Sequence, residues 1–462
     1  MINLTRNRGT NEFMPLSEFP QPAEEASGND LPDIRITPPG PASRSAFDRL
    51  ERVECPAFAQ RREAREQDSG VTMAPVFFTS GKGSNLFDVD GNRYVDLAAG
   101  FGSVLLGHGA ASVSRAIEAQ SDRMLQALGD LYSADIKVAL LERLASIHPG
   151  QSPRVLLCQS GSDAISAALK TCALSTGKPG IIAFEGAYHG LGYGPLAACG
   201  LRESYRAPFA AQLNPHVTFA PYPTNDSDLE RSLAAVEKAL ARGDVGAVLV
   251  EPILGRGGVV VPPDAFLTRL SELAHRHGAL VIADEVWTGL GRCGALLRST
   301  AVGAPIDVLV VGKGLGGGLS ISACIAPDEI MQAWAHGGQV VHTSTHAGAP
   351  LPCAVAISVL DSLRFRRLIP NAAEVGARTK SYLQSVLTGA PGVVEVRGAG
   401  YMLGIALENG ALALRVMQRM LELGFVVTTG GLQGEVIVWT PALTIAEEQL
   451  TAAANAMKTV LA

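Results

Sequence analysis

Reactive side chains recur where short apolar runs of this chain stop. Lys313 lies in Gly312-Lys313-Gly314-Leu315-Gly316-Gly317-Gly318, directly after Val308–Val311, and is one of only eight lysines. Its glycine neighbours leave room for a bulky ligand, and a lysine amine so placed suits a Schiff base with an aldehyde. The rival reading is a glycine-rich nucleotide loop, but neither GxGxxG after a first strand nor GxxxxGKS/T is matched. Asp284–Glu285 ends the apolar run Leu280–Ala283. Carboxylates are rarely buried unpaired, so either one of the two meets a protonated ring nitrogen, or the pair faces a loop and caps a helix. Tyr188, in Ala187-Tyr188-His189-Gly190 after Gly180–Phe184, either packs in the core or rim or stacks on a flat heteroaromatic ring. Gln159-Ser160-Gly161-Ser162 follows Val155–Cys158 and opens a helix. That turn is either an ordinary cap or an anion site made by first-turn N–H groups and the helix dipole.

An anion turn, an aromatic, an aspartate and a lysine follow one another on successive strand ends. They are the parts pyridoxal phosphate needs: a cradle for its phosphate, a stack for its ring, a partner for its nitrogen and a tether for its aldehyde. An aspartate at the nitrogen holds positive charge on the ring and makes it an electron sink, while the released lysine carries a proton between substrate carbon and cofactor.

The elements that must hold these residues follow from periodicity. Residues 1–45 are rich in Pro, Ser, Glu and Asn and read as a flexible extension. Residues 46–109 form a second segment, which is expected to pack with the small domain. Within it, Ala46–Asp68 is dense in charge and predicts one solvated helix with no catalytic role. Phe77–Leu97, broken at Gly81-Lys82-Gly83 and Asp90-Gly91-Asn92, predicts a β-meander. Across residues 110–350, helices (among them Ser112–Leu128) alternate with runs apolar throughout, namely Val155–Cys158, Gly180–Phe184, Val217–Ala220, Val245–Val250, Leu280–Ala283 and Val308–Val311. That alternation predicts an α/β large domain whose mostly parallel sheet is covered on both faces, with its site outside the carboxyl ends of the strands. Residues 351–462, with strands that include Phe425–Thr428, read as a smaller α+β C-terminal domain.

Composition narrows the function classes. The 462 residues are 47% hydrophobic and 18% charged, which excludes a disordered polyelectrolyte. A net charge of −6 gives no global field for nucleic acid or an anionic membrane, and the longest apolar runs are too short to span a bilayer. Seven scattered cysteines without CxxC spacing argue against a disulfide framework and a metal centre. No secretory signal is visible, so the cytoplasm is the expected compartment.

From about Val76 to the C-terminus the chain resembles the class III (omega-type) pyridoxal-phosphate aminotransferases of fold type I. The blocks that carry the resemblance occur in order: Asp88-Val-Asp-Gly-Asn-Arg-Tyr-Val-Asp96, Ser160-Gly-Ser-Asp-Ala164, Gly186-Ala-Tyr-His-Gly190, Glu251-Pro252, Asp284-Glu-Val-Trp-Thr-Gly-Leu-Gly-Arg292, Gly312-Lys-Gly-Leu-Gly-Gly-Gly318 and His342-Thr-Ser-Thr345. The resemblance implies a seven-stranded sheet, pyridoxal 5′-phosphate as cofactor, small-molecule amine and keto-acid or aldehyde substrates, and a homodimer with active sites at the subunit boundary. It further implies that Gly161 and Ser162 bind phosphate, Tyr188 stacks on the ring, Asp284 pairs with its nitrogen and Val286 packs behind it. Lys313 would form the internal aldimine, and Thr345 would reach the phosphate of the partner subunit's cofactor.

Departures from that pattern bear on the substrate. Relatives of the ornithine and acetylornithine type carry a glutamate after Glu-Pro where this chain has Arg256, and an arginine near the C-terminus where it has Val438. The receptor arginine after their His-Gly is Leu191 here. An acid has become a base and a base has become apolar, so the substrate is expected to differ from ornithine and acetylornithine. Arg256 either takes over an acidic group or is a surface or interface arginine paired with a carboxylate. Trp439 would suit a larger or more apolar amine. Three alternatives share the scaffold: a glutamate-1-semialdehyde-type aminomutase, a decarboxylase and a racemase. The bond broken depends on which one stands perpendicular to the ring, and no motif reads that out.

Overall fold

The computed structural model describes residues 28–462. Its first strands, β1 (Phe78–Lys82), β2 (Asn85–Asp88) and β3 (Arg93–Asp96), form the antiparallel meander expected from the Asp90-Gly91-Asn92 turn. The central sheet comprises β4 (Pro153–Cys158), β5 (Gly180–Phe184), β6 (Val217–Ala220), β7 (Val245–Val250), β8 (Leu280–Asp284), β9 (Val308–Val311) and β10 (Ser322–Pro327), in the spatial order β4-β10-β9-β8-β7-β5-β6. All neighbours are parallel except β10, which runs antiparallel to both β4 and β9. The carboxyl ends of β4, β5, β7, β8 and β9 therefore emerge along one edge. β10 is the strand that periodicity missed, because Ser322-Ala-Cys-Ile-Ala-Pro327 is short of the branched residues that mark its neighbours.

Helices cover both faces for the reason the sequence suggests. In Asp226–Leu240 the apolar residues Leu229, Leu233, Val236 and Leu240 recur every three or four positions and are buried, while the side chain of Asn225 accepts from the N–H of Asp228 and caps the start. Each such leucine contributes about 2 kcal/mol by leaving water. The family's sheet and its covering layers are thus present: the protein has the α/β architecture of fold type I.

Beyond Leu387, β11 (Val393–Ala399), β12 (Met402–Leu407), β14 (Thr428–Gly430) and β15 (Val436–Trp439) make a separate antiparallel sheet, and the short β13 (Phe425–Val426) leaves it to pair in parallel with β3. The single strand expected over Phe425–Thr428 is therefore two strands shared between two sheets. That split joins the start of the chain to its end. A second tie runs from the central part of the chain: fully buried Arg292, beyond β8, donates to the carbonyls of Tyr401 (3.3 Å) and Pro441.

Other expectations change. Of the extension over residues 1–45, residues 1–27 lie outside the described residues. From Gly28 on it is tied down: the N–H of Asp30 donates to Asn85 (3.0 Å), that of Arg35 to Asn92 (2.9 Å), and Asp33 bridges Arg93. The buried amides of Asn85 and Asn92 need partners, and the extension supplies them. The solvated helix is two, Pro41–Glu51 and Pro56–Ser69, the second starting at a proline in its first turn. The helix expected over Ser112–Leu128 stops at Ser121, and the segment beyond it exposes Met124, Leu125 and Leu128 rather than burying them. Among the described residues no helix is long and apolar enough to cross a membrane.

Candidate active site

Strand ends bring the chemistry together. Gly161, Ser162, Tyr188, Asp284, Val286, Lys313 and Arg256 line one cavity of about 240 Å³, joined by His189, Gly190, Leu191, Glu251 and Trp287. The walls approach closely because glycines allow it. A Cβ at Gly161 would stand 2.9 Å from Val286 Cγ1, and one at Gly190 (φ +104°) would stand 2.6 Å from Ser162 Cβ.

At the end of β4, Ser160 caps the helix Gly161–Thr176 by accepting from the N–H of Asp163 (3.2 Å), so the cap reading is correct. The anion reading survives beside it, because the N–H groups of Gly161 and Ser162 have no intrahelical acceptor. Ser162 Oγ accepts from the N–H of Gly192 (3.0 Å), which ties this turn to the Tyr188 loop.

At the ends of β7 and β8 stand two buried acids. Asp284 accepts from the N–H of Val286 on Oδ1 (3.1 Å), and its Oδ2 lies 2.7 Å from His189 Nδ1. Glu251 accepts from the N–H of Tyr188 (2.7 Å) and from that of Gly255 (3.0 Å). Burial pushes its carboxyl up to about 7, with Asp284 adding to the rise and His189 opposing it. Glu285 behaves otherwise. It is buried and accepts from Thr288 Oγ1 and from the N–H (2.6 Å) and Oγ (2.7 Å) of Ser299, so of the adjacent carboxylates only Asp284 faces the cavity.

Lys313 has a left-handed backbone (φ +41°), an uncommon and strained state for a residue with a side chain. Its Nζ lies 4.2 Å from the centroid of the Trp287 ring. Burial lowers its ammonium to about 8, while the charges of Asp284 and Glu251 oppose the fall.

Of the expected site residues, Trp439 lies elsewhere, and Thr345, expected at the partner subunit's cofactor, does not line the cavity of its own chain. Trp439 is fully buried in the main core on β15, opposite Leu403 of β12, and does not line the cavity; strand alternation turns it inward. Thr345 is exposed on a loop, where its carbonyl accepts from Gln126 Nε2 (2.7 Å), and it too is absent from the lining. Arg256 lies at the cavity with its guanidinium carbon 5.9 Å from the Tyr188 ring centroid. His189, Glu251 and Trp287 carry parts of the site that residue reasoning did not single out. Glu251 carries the same signal as Asp284, an acid ending an apolar strand.

Cys158, Asp163 and His342 converge behind the turn, their ligand atoms within 4.8 Å of one another. Burial keeps the Cys158 sulfur a thiol, which is a poor metal ligand.

The family profile described as aminotransferase class-III matches residues 66–461. The chain belongs to the class III aminotransferases. It is 37% identical over 388 residues to the acetylornithine aminotransferase of Mycolicibacterium smegmatis, covering 84% of this chain and 94% of that one. It is also 29% identical over 460 residues to the alanine/serine racemase of Pyrococcus horikoshii, covering 94% of each. Among solved structures, a PLP-bound amine transaminase from an uncultivated Pseudomonas species superposes with a TM-score of 0.79 at 29% identity, over 84% of this chain and 94% of that one. This class III aminotransferase is therefore a pyridoxal-phosphate enzyme, and its cavity suits the cofactor. Donors for a phosphate, a carboxylate for a ring nitrogen, an aromatic flank and an amine held near neutrality share one space whose glycine walls leave room for a flat ring.

Proposed function

We propose that this aminotransferase moves an amino group between an amine or amino acid and a keto acid or aldehyde, and that Arg256 recognises an acidic group on one of them, unlike the ornithine and acetylornithine enzymes. The carrying observation is Arg256 in the cavity that holds Lys313, with no ion pair or side-chain hydrogen bond among the described residues. A guanidinium beside a reaction centre without a carboxylate partner is suited to a substrate carboxylate. Val438, where those relatives have arginine, packs in an apolar cluster with Trp287, Val259 and Met402. The acid receptor has moved from the small sheet to the Glu251–Val260 loop.

Bound pyridoxal phosphate supplies an aldehyde for the covalent link and a ring that absorbs the electron pair left when a proton is removed at the substrate carbon. In this reading Gly161 and Ser162 donate N–H groups to its phosphate, Tyr188 and Val286 flank its ring, and Asp284 holds a proton on the ring nitrogen. With its ammonium near 8, Lys313 presents about a tenth of its Nζ as free amine at pH 7. That amine makes the link, and once displaced it carries a proton at Nζ to and from the substrate carbon. Glu251 holds the Tyr188 and Arg256 loops at one set distance through its two backbone contacts.

A homodimer fits the same reading. Leu125, Leu128, Leu131 and Tyr132 are 57%, 63%, 76% and 72% exposed, next to the Thr345 loop through Gln126. A second copy that covers this apolar segment would place Thr345 at the neighbouring site. Seven free thiols suit a reducing cytoplasm.

The test incubates holoenzyme with a panel of amines and keto acids and follows the half-reaction by the cofactor's absorbance, with Arg256→Ala beside the native chain. We expect the variant to raise KM about tenfold or more for acid-bearing substrates and leave uncharged amines alone. An unchanged KM for every acidic substrate refutes the Arg256 assignment. The similarity to a racemase over nearly the whole chain supports a second reading. Conversion of one alanine enantiomer to the other without an acceptor would favour it.

A further inference from the structure

Lys313 and Trp287 arrive together because their strands do. β8 and β9 are parallel neighbours in which Asp284 stands opposite Val310, so the residues that follow each strand emerge at the same edge of the sheet. Trp287 lies beyond Asp284 and Lys313 beyond Val311. The indole sits in a slot made by glycines. A Cβ at Gly102 (φ +81°) would stand 2.6 Å from its Nε1, and one at Gly255 would collide with its Cε3. It packs with Ile253, Val259, Met402 and Val438 and is only 6% exposed, yet it still lines the cavity. A ring pinned in this way offers a fixed face.

That face meets the lysine. Lys313 Nζ lies 4.2 Å from the ring centroid, within the range over which an indole attracts an ammonium. Among the described residues Nζ donates no hydrogen bond and forms no ion pair. The charged groups acting on it are Asp284, Glu251, Arg256 and Arg292, and both acids are engaged elsewhere. Asp284 accepts from the N–H of Val286 and contacts His189 Nδ1, while Glu251 accepts from the N–H groups of Tyr188 and Gly255. The two arginines disfavour a further cation. The group in contact with the ammonium is therefore the ring, and the acids act on it from a distance.

We propose that Trp287 is a positioning residue whose indole face is the resting place of the Lys313 ammonium whenever the lysine is not joined to the cofactor. This rests on the reading of Lys313 as the linking amine and extends it. When Nζ joins the cofactor, its lone pair forms a C–N bond to the aldehyde carbon and the aldehyde oxygen leaves as water. When a substrate amine displaces it, the freed Nζ takes the proton from the substrate carbon and becomes an ammonium. The ring face keeps that ammonium within reach until it delivers the proton.

The test follows covalent uptake of pyridoxal phosphate by apoenzyme at pH values on both sides of 8, fixing the product with borohydride. It compares the native chain with Trp287→Phe and Trp287→Leu, each checked by circular dichroism. Uptake needs the neutral amine, so its pH midpoint, near 8 in the native chain, reads how strongly the site favours the ammonium. Trp287→Leu should lower the midpoint by about one pH unit, with Trp287→Phe between the two. A merely structural loss would slow uptake at every pH and leave the midpoint in place, and water entering the vacated space would move it upward. Either result for Trp287→Leu overturns the proposal. Should the leucine chain not fold, indole fluorescence decides: native apoprotein should show a step near pH 8 that Lys313→Met lacks, and identical curves overturn the proposal. The underlying reading fails separately, if Lys313→Met still fixes cofactor at the native stoichiometry.

Discussion

The Nδ1 atom of His189 lies 2.7 Å from Oδ2 of Asp284, with both side chains buried and His189 Nε2 left without a partner among the described residues. Two strands on either side of β7 create this contact. β5 delivers the Tyr188-His189 loop and β8 delivers Asp284, and the intervening β7 sets their separation. The N–H of Val286 takes the other carboxylate oxygen (3.1 Å), so the aspartate is fixed at both oxygens before any ligand arrives.

Preorganisation of that kind matters most where charge develops. Asp284→Asn, which keeps the shape and removes the charge, should lower the rate of the amine half-reaction by about a hundredfold or more. His189→Ala should cost about tenfold and shift the pH profile of the cofactor absorbance, and His189→Asn should recover part of the loss by donating from its amide. Stopped-flow absorbance of the half-reaction checks all three. Equal, small effects of Asp284→Asn and His189→Ala would remove Asp284 from the chemistry.

Lys313 makes a pH prediction with a definite sign. Its ammonium falls from the usual 10.5 to about 8 through burial. Only the neutral amine attacks an aldehyde, so cofactor uptake by apoenzyme should speed up as pH rises and level off above about 8. The native apoprotein also binds fewer protons than the unfolded chain between those two values, so its stability should rise with pH across that window. Lys313→Met should abolish the yellow colour and flatten the rise in stability. Uptake rates and urea melts of apoprotein at several pH values measure both.

Glu251 carries the opposite sign. Burial raises its carboxyl from 4.5 to about 7, so the folded chain holds a proton that the unfolded chain releases in that range. Its contribution is favourable at low pH and is lost as pH climbs from 4.5 towards 7. Glu251→Gln should remove this slope. Glu251→Ala should cost about 1–3 kcal/mol for each of the two N–H groups, of Tyr188 and Gly255, that it strands in the interior. Denaturant midpoints against pH test both variants.

Much of this site is legible in the chain because parallel strands are read by continuous apolar runs and their ends by the polar residue that breaks them. Asp284, Lys313 and the Ser160 turn all stand out in that way. Glu251 carries the same mark, yet Pro252 after it resembles a simple turn. Trp439 departs from expectation for a physical reason: its large apolar ring suits contact with an apolar amine, but both faces of β15 are covered, and the pleat puts Val438 on the side of Trp287 and Trp439 on the side of the main core. Long-range partners leave no local trace. Nothing near Asn85 or Asn92 says that residues 28–36 will satisfy them. β10 was obscure because its alanines, serine and cysteine gain strand character only from β4 and β9 on either side.

Thr345 tests the assembly. Within one chain it stands off the cavity, its carbonyl held by Gln126 in the exposed apolar segment that runs through Leu131. If a second copy covers that segment, Leu128→Asp/Leu131→Asp should yield monomers by sedimentation velocity, with circular dichroism intact and activity lost. Thr345→Ala should weaken cofactor retention by about tenfold through a missing phosphate contact. Mixing decides whose site it serves. Lys313→Ala and Thr345→Ala chains, exchanged into hybrids at limiting cofactor, create one site with an intact lysine and an intact threonine from the other subunit, and activity should rise above that of either variant alone. If Thr345 served its own subunit, no hybrid site would be whole and mixing would restore nothing.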